Sequence, residues 1–396
     1  MGALMPVQGH FDCIRGRAVC GWAWDPSKPD ERITVRVLFN GEPVVSGIAE
    51  THRPDLQAAG IGSGSHAFFI SLPDSHLDGR EGELTVQGAD GAALAGTPTR
   101  LTLPNLRFRP LEPLDTPPPI TLSVCAIVKD EGAYLLEWLA HHRLVGVQHF
   151  VIFDNGSTDS TGPLLAGLAK AGILDYVPWP NIPGVAAQRP AYIAGLARLA
   201  ERSRWVAFID ADEFLNPLRG ETVPDILKDY ETAAGLLVPW RLFGSNGHQE
   251  RTDDLVVSRF TRRARPEDPR NNLVKTIVQA RTVLRPDIHT VQVSQGCLVD
   301  EFWHLGGSQG HPDNHAVPTA ERLVLNHYFT KSRAEWEHKR SRGQATEQVG
   351  STAWRRPDDH FMAHDVNDIE DTGLASHAMA IQQEMDRLWA LLRDDQ

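Results

Sequence analysis

Trp205-Val-Ala-Phe-Ile-Asp-Ala-Asp-Glu-Phe214 is the stretch on which the fold turns. Five apolar residues run directly into two carboxylates, Asp210 and Asp212. An unbroken apolar run of this length fits a strand covered on both faces, as in a parallel sheet. Carboxylates at the end of such a strand are costly to bury unless a cation or a hydrogen-bonding partner offsets them. Working towards the N-terminus, the same pattern repeats. Leu122–Val128, His149–Phe153 and Leu174–Val177 read as strands, and Tyr134–Leu144, Ser160–Ala171 and Ala186–Arg202 as helices. Strands alternating with helices predict crossover units and a doubly wound, mostly parallel sheet flanked by helices, an α/β fold of Rossmann-like type.

The residues before this region follow a different period. In Ile33-Thr-Val-Arg-Val-Leu-Phe39, alternate residues Ile33, Val35, Val37 and Phe39 fall on one face of a strand, and Asn40-Gly41 follows as a hairpin signal. Further strands are expected at Ala67–Leu72 and Glu83–Gln87, which together predict a small all-β sandwich over residues 1–103. Pro104-Asn-Leu-Arg-Phe-Arg-Pro-Leu-Glu-Pro-Leu-Asp-Thr-Pro-Pro-Pro119 reads as an extended linker over 104–119, because proline fixes φ and lacks a donor. Residues 120–396 form the α/β domain. It carries further strands at Leu236–Trp240 and Val274–Ala280, and helices at Lys331–Arg342 and Ser376–Leu392, the last with Ser376 as N-cap.

Composition narrows the classes. The chain has 396 residues and a formal net charge of -12, which argues against nucleic acid as a partner. Arg259, Arg262, Arg263, Arg265 and Arg270 form a local basic cluster, read either as a solvated loop or as a peripheral contact with an anionic ligand or membrane surface. No apolar run is long enough to span a bilayer and no secretory leader is evident, so the expected location is the cytoplasm, with the inner face of a membrane as the place for any peripheral contact. Cys13, Cys20, Cys125 and Cys297 form no zinc-type pair, and a Cys13–Cys20 disulfide would need an oxidising compartment.

In open α/β sheets, ligands bind beyond the carboxyl ends of the strands. Those ends are Lys129-Asp-Glu-Gly132, Asp154-Asn-Gly-Ser-Thr-Asp159 and Asp210-Ala-Asp-Glu-Phe214. A lone D-x-D is more often a cap or loop pair. Its place after the fourth strand favours a hard divalent cation bound between these carboxylates and a diphosphate. His311 and His315 have the spacing of helical zinc ligands but lie in a Gly/Pro/Asn-rich stretch, and are read as a loop.

The runs Val124-Cys-Ala-Ile-Val-Lys-Asp-Glu131, Phe153-Asp-Asn-Gly-Ser-Thr-Asp159 and Phe208-Ile-Asp-Ala-Asp-Glu-Phe214 together resemble the GT-A-fold glycosyltransferases, in the family 2-like and family 92-like branch. Weaker continuations are Trp240-Arg-Leu-Phe-Gly-Ser-Asn-Gly-His248 and Asn326-His-Tyr-Phe-Thr-Lys-Ser332. The resemblance implies transfer from a nucleotide-diphosphate sugar, typically a UDP-sugar, with Mn²⁺ or Mg²⁺, to a glycan, polysaccharide or lipid-linked acceptor such as a glycolipid. It implies Val128, Lys129, Glu131, Asp154, Asn155 and Asp159 near the nucleoside, Gln188, Tyr192, Asp210 and Lys275 at the donor, and Asp210, Asp212 and His327 at the metal, with His289 behind His327. It further implies inversion, which needs a carboxylate base; Glu213, Asp254, Asp300 and Glu301 remain open. Gly21-Trp-Ala-Trp-Asp25 in the β-domain is compatible with carbohydrate stacking by Trp22 or Trp24, or with their serving as core. Two rivals use the same carboxylates. One is a non-catalytic glycan-binding protein on this scaffold. The other is a metal-dependent phosphatase or nucleotidyltransferase, which would need a Gly-rich phosphate loop that Lys129-Asp-Glu-Gly132 does not supply.

Overall fold

Ile120–Val128 is the spine of the larger sheet, and its last seven residues are buried. It pairs in parallel with His149–Asp154 on one side and Ser203–Phe208 on the other, and His149–Asp154 pairs in parallel with Asp175–Pro178. The helices Leu135–Leu144, Thr161–Lys170 and Gln188–Leu199 make the crossovers. This half has the strand–helix alternation expected from the apolar runs.

The computed structural model describes residues 7–15, 17–104, 110–306 and 320–393; His311 and His315 lie outside them. The chain divides into two compact units, Met1–Phe108 with Leu305–Asn314, and Arg109–His304 with His315–Gln396. In the second unit the sheet continues past Ser203–Phe208. Val274–Gln279 runs antiparallel between that strand and Gly235–Leu242. Leu323–His327 then lies parallel to Gly235–Leu242 and antiparallel to Glu213–Pro217. The last pairing sets Glu213 opposite His327 and Phe214 opposite Asn326. Tyr328 N–H also donates to the Asp212 carbonyl at 2.9 Å. The chain after the D-x-D is thereby fastened to a segment more than a hundred residues later.

Leu135–Leu144 supports this fastening from one face. The fully buried Trp138 donates Nε1–H to the Glu213 carbonyl at 2.8 Å. His141 Nε2 donates to the Leu215 carbonyl at 2.7 Å, while His142 Nε2 accepts from Leu215 N at 3.3 Å and its Nδ1 donates to the Trp138 carbonyl at 2.8 Å. Burial pushes His141 down to about 4 and His142 well below its ordinary value, so both rings are neutral. The amphipathic helix Ala378–Arg393 covers Leu135–Leu144 with Ile381 and Leu388, and Arg143 donates to Glu384 at 2.7 Å. Ser376 is not its N-cap. It sits in the 3₁₀ turn Ala375–His377 and donates its hydroxyl to the Gly373 carbonyl at 2.6 Å, so a preceding turn replaces the cap.

The first unit contains two four-stranded antiparallel sheets. One joins Gln8–Arg15, Ala18–Trp24, Ser65–Ser71 and Thr51–His52; the other joins Glu42–Ala49, Ile33–Phe39, Glu81–Gln87 and Thr99–Thr102. Asn40 and Gly41 take φ of 53° and 84°, the left-handed pair that a tight hairpin requires. Trp22 and Trp24 are each half-buried. All four cysteines are free thiols.

Gly195 shows how closely the crossover helix approaches the sheet. A Cβ there would stand 2.3 Å from Cys125 Sγ and 3.1 Å from Phe153. Gly195→Ala should gain about 1 kcal/mol of helix propensity but lose about 1–3 kcal/mol by overpacking. Urea unfolding should therefore show Gly195→Ala destabilised in the native background. The same change should be close to neutral in a Cys125→Ala background. A higher midpoint for Gly195→Ala alone would contradict this packing.

Candidate active site

The polar rim at the carboxyl ends of the strands encloses a cavity of ≈ 210 Å³. Val128, Lys129, Glu131, Asn155, Gln188, Asp210, Asp212, His289 and His327 line it, and so do Trp240, Phe329, Lys339, Arg342, Trp354 and Arg356. Tyr192 and Lys275 stand behind Asp210 rather than on the wall.

The two D-x-D carboxylates face different partners. Asp210, whose side chain is 33% exposed, accepts from Gln188 Nε2 at 2.9 Å and Tyr192 OH at 3.2 Å through one oxygen. Its other oxygen accepts from Lys275 Nζ at 3.0 Å. Gln188 and Tyr192 reach it together because i and i+4 share one face of a helix. Asp212 turns the other way. Its Oδ2 accepts from Lys339 Nζ at 2.5 Å and lies 3.6 Å from His327 Nε2. Burial opposes the Asp212 charge, but Lys339 and His327 outweigh it and hold the carboxyl well below its usual range. Burial pushes Lys339 down to about 8, which still leaves it protonated at neutral pH.

Glu213 is fully enclosed beneath this pair. It accepts from the Asp210 N–H at 2.8 Å, and Lys275 Nζ is 3.5 Å away. Burial first, then the charges of Asp210 and Asp212, raise its carboxyl well above the ordinary value. Glu213 itself stands off the cavity wall. The other carboxylates considered as bases do not line the cavity. Asp300 accepts from the N–H groups of Phe302 and His304, both at 2.9 Å. Glu301 accepts from Arg322 N at 3.1 Å and Leu323 N at 3.4 Å. Asp254 accepts from the Thr252 hydroxyl at 3.0 Å on a separate surface depression. Within the cavity, His289 is kept neutral, down to about 4, by burial and by Lys275.

The first two strand ends mainly hold each other. Thr158 N–H donates to Asp130 at 2.7 Å, Asp130 N–H to Ser157 Oγ at 2.9 Å, and Gly132 N–H to Asp159 at 3.0 Å. Asp154 accepts from Ser157 N at 2.9 Å and Tyr176 OH at 3.2 Å. Asp154 and Asp159 thus build the turn, while Asn155 reaches the cavity.

Lys339 and Arg342 line the cavity without any signal in the sequence. Lys339 lies in the Lys/Arg/Glu-rich helix Arg333–Ser341, where a lysine reads as solvated. Its one clue is that it shares a face, at i+3, with the fully buried Trp336. Arg342 donates to the Lys129 and Asp130 carbonyls and to Glu131. Lys331 Nζ is 3.7 Å from the second Glu131 oxygen. Lys129 stands over the Trp354 ring at 5.6 Å. The basic cluster at 259–270 is largely occupied within the fold: Arg259 pairs with Glu335 at 2.8 Å, and Arg263 with Asp371 at 2.6 Å.

A metal ion fits this donor set in one way. Among the described residues no three acidic, histidine or cysteine side chains are arranged to hold an ion unaided. Asp212 Oδ2 and His327 Nε2 face each other beyond hydrogen-bonding distance, at 3.6 Å. Two such ligands suit an ion that keeps water and phosphate oxygens in its remaining positions.

Lys275 is the counter-ion on which the other side depends. Lys275→Met should cost about 3 kcal/mol in urea unfolding, because it leaves Asp210 uncompensated. Adding Asp210→Asn should recover much of that loss. Strictly additive losses would contradict the pairing.

The family model for glycosyltransferase family 92 matches residues 119–362, more than half of the chain. A glycosyltransferase family 92 protein of Ricinus communis is 27% identical over 220 residues, 53% of this chain and 35% of that protein. One of Oryza sativa subsp. japonica is 27% identical over 174 residues, 42% of this chain and 27% of that protein. The chain thus spans about a third of the length of these curated relatives. Among solved structures, S. aureus TarS 1–349 in complex with UDP-GlcNAc is similar over 41% of this chain and 46% of its own, at 17% identity and a TM-score of 0.29. Glucosyl-3-phosphoglycerate synthase from Mycobacterium tuberculosis, in complex with Mn²⁺, UDP and glucosyl-3-phosphoglycerate, is similar over 41% and 57%, at 20% identity and a TM-score of 0.25. The family model spans the strands that build the cavity, and the chain belongs to glycosyltransferase family 92.

Proposed function

We propose that this chain transfers a sugar from a nucleotide-diphosphate sugar, of the UDP-sugar class, to a hydroxyl of a glycan, polysaccharide or lipid-linked acceptor. In this reading Asp212 and His327 hold a divalent ion, Mn²⁺ or Mg²⁺. The observation that carries it is that Asp212 and His327 face each other on the wall of a cavity also lined by Lys129, Lys339, Arg342 and Arg356. That cavity combines ligands for a hard cation with side chains that neutralise a diphosphate, at the end of the sheet where α/β folds bind nucleotides. When bound, the metal would stabilise the negative charge that develops on the departing nucleoside diphosphate.

The chain's own residues divide the remaining work. Asp210, already anchored by Gln188, Tyr192 and Lys275, borders the donor side. Glu131 is held by Arg342 and keeps the first strand end against the cavity. The acceptor hydroxyl must lose its proton as it attacks the anomeric carbon if transfer inverts configuration. None of Glu213, Asp254, Asp300 and Glu301 lines the cavity.

A panel of nucleotide sugars screened by thermal shift with Mn²⁺ should raise the melting temperature for the true donor, because a ligand that binds only the folded state stabilises it by mass action. Asp212→Asn should abolish that metal-supported shift and sugar transfer while the far-UV spectrum stays native. His327→Ala should weaken apparent Mn²⁺ affinity by roughly 10–100-fold. Full transfer by Asp212→Asn at saturating Mn²⁺, or unchanged Mn²⁺ affinity in His327→Ala, would remove the assignment.

A further inference from the structure

Each carboxylate on the cavity wall already has a cation. Lys275 sits on Asp210 at 3.0 Å, Lys339 on Asp212 at 2.5 Å, and Arg342 with Lys331 on Glu131. Two further cations, Lys129 and Arg356, line the same cavity and rest over the rings of Trp354 and Phe329. The described wall is therefore neutral to positive before anything binds. Such a wall welcomes a diphosphate and opposes a bare divalent cation.

The conflict is sharpest at Asp212. The same oxygen, Oδ2, that faces His327 Nε2 is the one that Lys339 Nζ occupies. Lys339 also donates to the Phe329 carbonyl at 2.8 Å, so its ammonium has two fixed acceptors in the free protein. An ion bound between Asp212 and His327 would meet that ammonium at close range, within an enclosed site where water screens little. Lysine, a compact charge on a flexible stem, can relocate if another acceptor comes within reach. A diphosphate supplies one.

We propose that Lys339 is the resident counter-ion of Asp212, and that a divalent ion replaces it only together with a nucleoside diphosphate, whose oxygens take over the Lys339 ammonium. Metal and nucleotide then bind with strong positive coupling, and Lys339 sets the size of that coupling. This rests on the reading of Asp212 and His327 as metal ligands. Lys339 acts here as a positioning residue, through Asp212 and the phosphate. Because coupling is reciprocal, Mn²⁺ raises nucleotide affinity by the same factor by which nucleotide raises Mn²⁺ affinity.

The test is the Mn²⁺ affinity of the full chain, read from the free-ion electron paramagnetic resonance signal, with and without UDP as the nucleotide probe. Wild type should bind Mn²⁺ weakly alone and at least tenfold more tightly with UDP. Lys339→Met should bind Mn²⁺ alone at least tenfold more tightly than wild type, with a smaller gain from UDP. Lys339→Arg, which keeps the charge, should retain the wild-type pattern. Wild-type Mn²⁺ affinity in Lys339→Met, or an undiminished gain from UDP, would overturn the role of Lys339. Asp212→Asn separates the two levels of the argument. If it leaves Mn²⁺ binding intact, or if wild type binds no Mn²⁺ even with UDP, the metal-site reading fails and this inference with it.

Discussion

Three carboxylates, Asp210, Asp212 and Glu213, stand within four residues at the end of a buried strand, and most of the site exists to accommodate them. Left alone they would repel one another and lose their hydration. The fold answers each differently. Lys275 neutralises Asp210 and lies 3.5 Å from the enclosed Glu213, and Asp212 is turned towards Lys339 and His327. Asp210 and Asp212 both remain on the cavity wall, and Asp212 is the one that faces His327. Buried polar groups of this kind are stable only when each has its partner, so the partners are as much part of the site as the carboxylates.

The geometry depends on backbone pairing rather than on side-chain reach. Glu213–Pro217 runs antiparallel to Leu323–His327, and the Tyr328 N–H closes on the Asp212 carbonyl. Trp138, His141 and His142 then lock the back of the first strand through its carbonyls and an N–H. Sites carried on strands and supported by packed neighbours hold their geometry more closely than sites on loops. Here the five-residue strand Leu323–His327, paired on both sides, brings His327 to Asp212.

The parallel half of the sheet was legible because three of its four strands are largely apolar and alternate with helical segments. Glu213–Pro217 and Leu323–His327 were not legible as strands. Their pairing is remote in sequence, and their buried faces include Asn216 and Asn326, which hydrogen bond to each other at 3.5 Å. At the site, Asp210, Asp212, Gln188 and His327 could be named from strand ends, helix spacing and family resemblance. Lys339, Arg342 and Arg356 could not, since charged residues in a charged segment look solvated until tertiary packing encloses them. Asp154 and Asp159 illustrate the converse. Their position after a strand suggests ligand binding, yet Ser157 N–H and Tyr176 OH already use the oxygens of Asp154, and Thr161 N–H and Gly132 N–H those of Asp159.

The central claim is that Asp212 and His327 share one divalent ion beneath a nucleoside diphosphate. The most direct measurement is anomalous diffraction at the manganese edge from crystals grown with Mn²⁺ and UDP. The account predicts one peak at coordination distance, roughly 2.1 Å, from both an Asp212 oxygen and His327 Nε2, with Lys339 moved from Asp212 to the phosphates. Bound UDP with no such peak, or with Lys339 still on Asp212, would contradict it.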